Sequence, residues 1–134
     1  MENCIFCKII KGEIPCYKIY EDDKTLAFLD IANDLYGHTL VIPKNHCRNI
    51  LDASKEDLSA VMNTVQKVSN HYIENCEFDG VNIINANEPA AEQSVFHLHF
   101  HIMPRQVNDG KTFYPKLEKI DEDLINICST LKID

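Results

Sequence analysis

The stretch His97-Leu98-His99-Phe100-His101-Ile102-Met103-Pro104-Arg105 alternates histidine with apolar residues. That is the period-2 pattern of a strand with one face in a core and the other free for chemistry. In a strand, residues i, i+2 and i+4 point the same way, so the three imidazoles are predicted to form one row. Three of the chain's six histidines lie in these five residues, inside an apolar alternation that is not tag-like. Imidazole titrates near neutrality and serves as nucleophile, acid, base or metal ligand, so the row by itself leaves all of these roles open.

Working outward, residues 85–94 form a polar loop before the row, and Asp79-Gly80 is a turn before a predicted strand at 81–84. Further strands are predicted at 17–21, 25–31 and 38–43, the last ended by Pro43. Residues 4–11 read as a short helix stopped by Gly12 and Pro15. Ser54, with Asp57 three residues on, is a capping-box-like start to one long helix. Its core face is predicted from Leu58, Val61, Met62, Val65, Val68 and Tyr72. Residues 121–131 are predicted as a C-terminal helix. There is no repeat and no linker. The expectation is one α+β domain over residues 1–134, an antiparallel five-stranded sheet with a long helix lying across it.

The bulk composition excludes several classes. The 134 residues are enough for one core, with 45% hydrophobic and 25% charged residues. A net charge of −8 argues against nucleic-acid and membrane-surface binding, which need basic faces, but leaves room for a small phosphate-bearing ligand. The first residues lack the basic and apolar regions of a signal peptide, and no apolar run approaches a membrane span, so a cytoplasmic location is expected. In a reducing compartment the close pair Cys4 and Cys7 suggests metal binding, and Cys16, Cys47, Cys76 and Cys128 suggest burial.

Glu92-Gln93-Ser94 can bring an amide, a hydroxyl and backbone N–H groups to the start of the histidine row. A nucleophilic imidazole beside such donors is what attack at phosphorus requires. At this point a resemblance is clear. Gln93-Ser94-Val95-Phe96-His97-Leu98-His99-Phe100-His101-Ile102, with Pro104-Arg105 after it, resembles the motif of the histidine triad (HIT) superfamily. Ile5-Phe6-Cys7-Lys8-Ile9-Ile10, Glu13-Ile14-Pro15, Ala27-Phe28-Leu29-Asp30-Ile31 and Gly37-His38-Thr39-Leu40-Val41-Ile42-Pro43-Lys44 are similar to its nucleotide-binding branch near the Hint proteins and their bacterial relatives.

The resemblance implies a HIT-like fold, a homodimer whose two sheets run together, and hydrolysis at the α-phosphorus of a purine, AMP-type nucleotide. Adenosine phosphoramidates lead as substrates, with dinucleoside polyphosphates as the alternative. It implies His99 as nucleophile, forming a nucleotidyl-histidine that water resolves. His101 would hold the phosphate, Ser94 would touch the phosphate or leaving-group oxygen, Gln93 would sit beside it, and His38 would support the strand. Histidine at 101, where transferase relatives often carry glutamine, favours hydrolysis. Read locally, Asp30 is a turn-capping aspartate; the resemblance makes its carboxylate the acceptor for both ribose hydroxyls. Phe6, Ile9, Ile14, Phe28 and Ile31 would form the slot for the base, or simply core.

Cys4-x-x-Cys7 is half of a common zinc site, and a redox version belongs with a thioredoxin-like pattern that is missing here. His46 and His97 are the candidate partners, with free buried thiols as the other reading. The resemblance to Cys-containing bacterial members implies a closed, structural zinc held by Cys4, Cys7, His46 and His97, with no catalytic cofactor. Three departures stand out: Glu92 where the family usually has glycine before the Gln-Ser pair, Ala86 where an amide is usual, and Glu88 where glycine is usual. Asn85 or Asn87 is expected to supply the amide for nucleotide binding. Two acidic residues near a phosphate would repel it unless they point away. A nucleotide-binding regulatory protein with weak catalysis, and a metalloenzyme using the row as ligands, are the competing readings.

Overall fold

The computed structural model describes residues 3–134 of the chain. Five strands form one antiparallel sheet: β1 (Lys18–Glu21), β2 (Thr25–Leu29), β3 (Thr39–Pro43), β4 (Gly80–Ile84) and β5 (Phe100–Arg105). Their order across the sheet is β1-β2-β3-β5-β4, so the histidine strand lies inside the sheet, between β3 and the edge strand β4. Three helices accompany it: α1 (Ile5–Ile10), α2 (Lys55–Asn75) and α3 (Leu124–Leu131). The expected α+β fold, with an open five-stranded antiparallel sheet, is the one found.

The central strands are buried on both faces. In the β2–β3 register Leu26 faces Ile42 and Phe28 faces Leu40, and these pack with Phe6 and the partly buried Ile9 and Ile10 under α1. The intervening pair Ala27 and Val41 points the other way and packs with Val61, Val65, Val68 and Tyr72 of α2. Leu98, Phe100 and Ile102 join that second core, leaving the histidines for the α1 side of the sheet. Ser54 caps α2 by accepting from the Asp57 amide at 3.0 Å, as the sequence predicts. Met62, expected in the core, is 40% exposed, and Thr64 takes the buried position, its hydroxyl 2.7 Å from that of Thr25. A buried threonine is stable there because the strand supplies its partner. Gly37 turns the chain into β3 at φ 84°, and a Cβ there would meet Pro104 at 3.1 Å.

The histidine row is the main correction to the predicted elements. Regular strand begins only at Phe100, so His97 and His99 precede β5 in irregular backbone. The Leu98 amide donates to the Cys47 carbonyl at 2.9 Å, a bond outside the sheet ladder. The apolar alternation survives because Leu98 is anchored in the α2 core, but the three rings no longer stand in one equivalent line. After β5 the chain runs without regular structure to α3, no residue of which is buried. Among the described residues no helix is long and apolar enough to cross a membrane.

Candidate active site

A cleft of about 330 Å³ opens between α1, the end of β2 and the start of β5. Phe6, Ile9, Ile14 and Phe28 make its apolar walls, and Ile31, 83% exposed, stands on its rim. Phe6 and Phe28 pack edge to face with ring centroids 5.6 Å apart. Asp30, Ser94, His99 and His101 bring the polar groups to the same cleft. A mostly apolar cavity with a few convergent polar groups is the usual form of a small-molecule site.

The hydrogen bonds assign the tautomers. His99 Nδ1 lies 2.7 Å from the His97 carbonyl, which can only accept, so Nδ1 carries the proton and Nε2 keeps its lone pair. Burial lowers the His99 pKa from its ordinary value, against the opposing pull of that carbonyl and the Asp30 charge. The ring is therefore neutral at pH 7, with a free lone pair on Nε2. His101 Nδ1 is 2.8 Å from His38 Nε2, and His38 Nδ1 donates to Asp34 at 2.7 Å. Burial, then the neighbouring His99 and His38, push the His101 pKa down to about 4. Asp34, His38 and His101 thus form one hydrogen-bonded chain that ends at the cleft. His38 also lies 3.6 Å from Asp30 Oδ2. Asp34 is thus the group behind the His38–His101 pair; its spacing of four residues from His38 is the signal the sequence holds.

Asp30 sits where a turn meets the cleft. Its Oδ1 accepts from the Ala32 amide at 2.8 Å, a turn cap, while the carboxylate lines the cleft. Gln93 and Asn87 behave differently from the cleft residues. Gln93 is buried, its amide nitrogen donating to the carbonyls of Arg48 and Val95 and its oxygen accepting from Asn49 and the Glu88 amide. Asn87 accepts from the Ile50 amide at 2.8 Å and donates to Asn85. Asn85 in turn donates to the His99 carbonyl. Neither Gln93 nor Asn87 is among the residues lining the cleft.

The feared acidic repulsion is absent at Glu88. Its carboxylate takes both Nε and Nη2 of Arg48, at 2.7 and 3.2 Å, and the Asn49 amide at 2.6 Å. Arg48 first, then Asn49, holds its pKa below the ordinary carboxylate range. Glu88 and Glu92 both adopt positive φ, 76° and 70°, which is why glycine suits these positions. At Glu88, with ψ 156°, the backbone lies in a region that non-glycine residues enter at a cost of about 1–3 kcal/mol.

On the far side of Phe6, four donors converge. His97 Nδ1 lies 3.3 Å from Cys4 Sγ, 3.5 Å from Cys7 Sγ and 3.2 Å from His46 Nδ1, and Cys7 Sγ is 3.3 Å from His46 Nδ1. Tetrahedral bonds of about 2.3 Å to sulfur and about 2.05 Å to nitrogen would give S···N edges of about 3.6 Å and N···N edges of about 3.3 Å, so the set fits a metal ion. His97 Nε2 donates to the Pro43 carbonyl at 2.8 Å, which leaves Nδ1 unprotonated toward the thiols. Burial and the adjacent Cys4 push the Cys7 thiol up to about 11, and a divalent cation would reverse that balance.

The sequence profile described as HIT domain matches residues 11–108. The chain belongs to the HIT family. Among HIT relatives, "Protein hit" of Bacillus subtilis is 46% identical over 134 residues, 97% of this chain and 92% of that protein. Adenosine 5'-monophosphoramidase hnt1 of Schizosaccharomyces pombe is 43% identical over 103 residues, 77% of this chain and 74% of that enzyme. The crystal structure of a zinc-bound histidine triad family protein from Mycobacterium smegmatis superposes with a TM-score of 0.78 at 36% identity, covering 87% of this chain and 85% of that one.

Proposed function

We propose that this HIT protein hydrolyses purine, AMP-type nucleotides at the α-phosphorus, with adenosine phosphoramidates as the leading substrates. The observation that carries the reading is the neutral, cleft-facing His99, whose Nδ1 is committed to a carbonyl. The base would lie in the slot of Phe6, Ile9, Ile14, Phe28 and Ile31, and Asp30 would accept from the ribose hydroxyls. His99 Nε2 forms a bond to the α-phosphorus as the P–N bond to the leaving amine breaks. The departing amine takes its proton from solvent, since His101, lowered to about 4, carries no extra proton at pH 7, and the bonded His101–His38 pair lies beside the phosphate. Water then attacks the nucleotidyl-histidine, its proton passing to solvent as the bond to His99 breaks, and AMP leaves with His99 Nε2 regaining its lone pair. Ser94 would donate to the phosphate or the leaving atom. Gln93 and Asn87 act on the loop around Ser94, not on the nucleotide. The similarity to an adenosine 5'-monophosphoramidase supports this substrate class.

The regulatory reading rested on the acidic departures, and Glu88 turns to Arg48 and Asn49 instead of the cleft. The test is AMP release from an adenosine phosphoramidate by wild type and by His99→Ala. Turnover by wild type with an acid-labile adenylyl-protein adduct, both lost in the variant, is expected; equal turnover by the two would overturn the reading. EDTA-insensitive turnover is expected as well, because the metal in this reading is structural.

We infer that Cys4, Cys7, His46 and His97 hold that metal as zinc. Four protein ligands close the site, so the ion would clip α1 to the start of β5 without offering an open position to substrate. Less than about a third of an equivalent of zinc after zinc-supplemented purification would count against it. We also infer a homodimer. Leu117, Ile120, Leu124 and Ile125 are each more than 70% exposed, an apolar tail that a second copy would cover. Light scattering giving a single-chain mass would refute the dimer.

A further inference from the structure

We propose that Glu88 is a positioning residue that fixes the loop segment carrying Ser94. The proposal rests on the reading that Ser94 contacts the phosphate or the leaving group. Among the described residues the Ser94 hydroxyl has no hydrogen-bond partner, so its neighbours place it. Gln93, on one side, is buried and bonds both polar atoms of its side chain, to Glu88 and Val95 in its own loop and to Arg48 and Asn49 in the neighbouring one. Val95, on the other, accepts from that same side chain through its carbonyl. Glu88 is where these bonds begin. Its backbone N–H donates to Gln93 Oε1 at 2.8 Å, and its carbonyl accepts from the amides of Ala91 and Gln93.

The conformation that aims those groups is the one glycine favours, with φ 76° and ψ 156°. Glutamate holds it because the carboxylate is gripped on three bonds, two from Arg48 and one from Asn49. Asn49 also donates to Gln93 Oε1 at 3.0 Å, so the grip on Glu88 and the grip on Gln93 share one amide. Arg48 is itself steadied by lying over the Phe96 ring, 4.2 Å from its centroid. A glycine at 88 would relax the backbone and release the clamp. Stability and catalysis therefore separate at this residue.

The experiment compares wild type with Glu88→Gly, Glu88→Gln, Arg48→Ala and the Glu88→Gln/Arg48→Ala double variant, using an adenosine phosphoramidate and AMP as probes. Glu88→Gly should melt no lower than wild type, bind AMP within about twofold, and lose about tenfold in kcat. Glu88→Gln and Arg48→Ala should each lower kcat, and the double variant should be no worse than the poorer single one, because both act through one clamp. The Arg48–Glu88 pair is half-exposed, so about 1 M salt should lower the wild-type kcat more than that of Glu88→Gly. Wild-type turnover with a kcat unchanged in every variant, or a loss in Glu88→Gly that only tracks a lower melting temperature, overturns this proposal alone. No turnover by wild type overturns the reading of the site and this proposal with it.

Discussion

Two clusters of metal-ligating side chains flank His99, and they differ in what surrounds them. Around His97, two thiols and two imidazoles meet with all donor atoms within 4.8 Å of one another, His97 Nδ1 lying 3.2 to 3.5 Å from the other three, and His97 is fully buried. Around His101, Asp30 and His38 approach, but the cluster borders the cleft and its imidazoles are bonded to each other and to Asp34. The first has two thiols and two imidazoles, four donors that would complete the coordination of a structural ion, with Cys7 and His97 buried and Cys4 and His46 partly so. The second has hard and borderline donors, an open side and a relay to a carboxylate, the requirements of proton handling beside an anion. His97 and His101 are four residues apart in one stretch, so residue type says little about role; the partners decide it.

The comparison can be broken in four places. His99→Ala should cost about 10⁴-fold or more in kcat/KM for an adenosine phosphoramidate with little change in melting temperature. Cys7→Ser should do the reverse, lowering the melting temperature by about 10 °C while kcat at low temperature stays within about threefold of wild type. If Cys7→Ser abolished turnover in folded protein, the two clusters would not be functionally separate. Asp30→Ala should raise KM for ribonucleotide substrates about 10- to 100-fold and leave 2′,3′-dideoxy analogues almost unaffected. An equal effect on both would remove the ribose role.

The smallest effect concerns pH. His101 is lowered to about 4 in the folded protein from 6.5, so the unfolded chain binds a proton in this window that the folded one refuses. Its contribution to stability is therefore intact above pH 6.5 and lost progressively as pH falls from 6.5 toward 4. His101→Gln should flatten that part of a melting-temperature profile. The acid limb of kcat/KM should likewise have its midpoint below 6.5, because His99 is also lowered by burial.

Much of this arrangement was legible in the sequence. The apolar alternation identified the buried face of the histidine stretch, and Ser54 with Asp57 located the start of α2. The Cys-x-x-Cys pair with His46 and His97 named the four converging donors. Other features were not legible because they depend on distant partners. Met62 fits the helical stripe, yet Thr64 is buried in the core because Thr25 waits for its hydroxyl 39 residues away. Gln93 and Asn87 look like free amides in the sequence, but they bond the loop at residues 48–50. Glu88 looks repulsive until Arg48 folds against it.

By itself the sequence determined the periodicities, the caps and the supply of imidazoles, thiols and carboxylates, since these follow from the order of side chains along a local backbone. The tertiary structure alone decided what faces each imidazole. A ring's protonation and role depend on the group that faces each nitrogen: the Pro43 carbonyl for His97, the His97 carbonyl for His99, and His38 for His101. Two of those three partners are more than fifty residues away along the chain, so only folding brings them within hydrogen-bond reach.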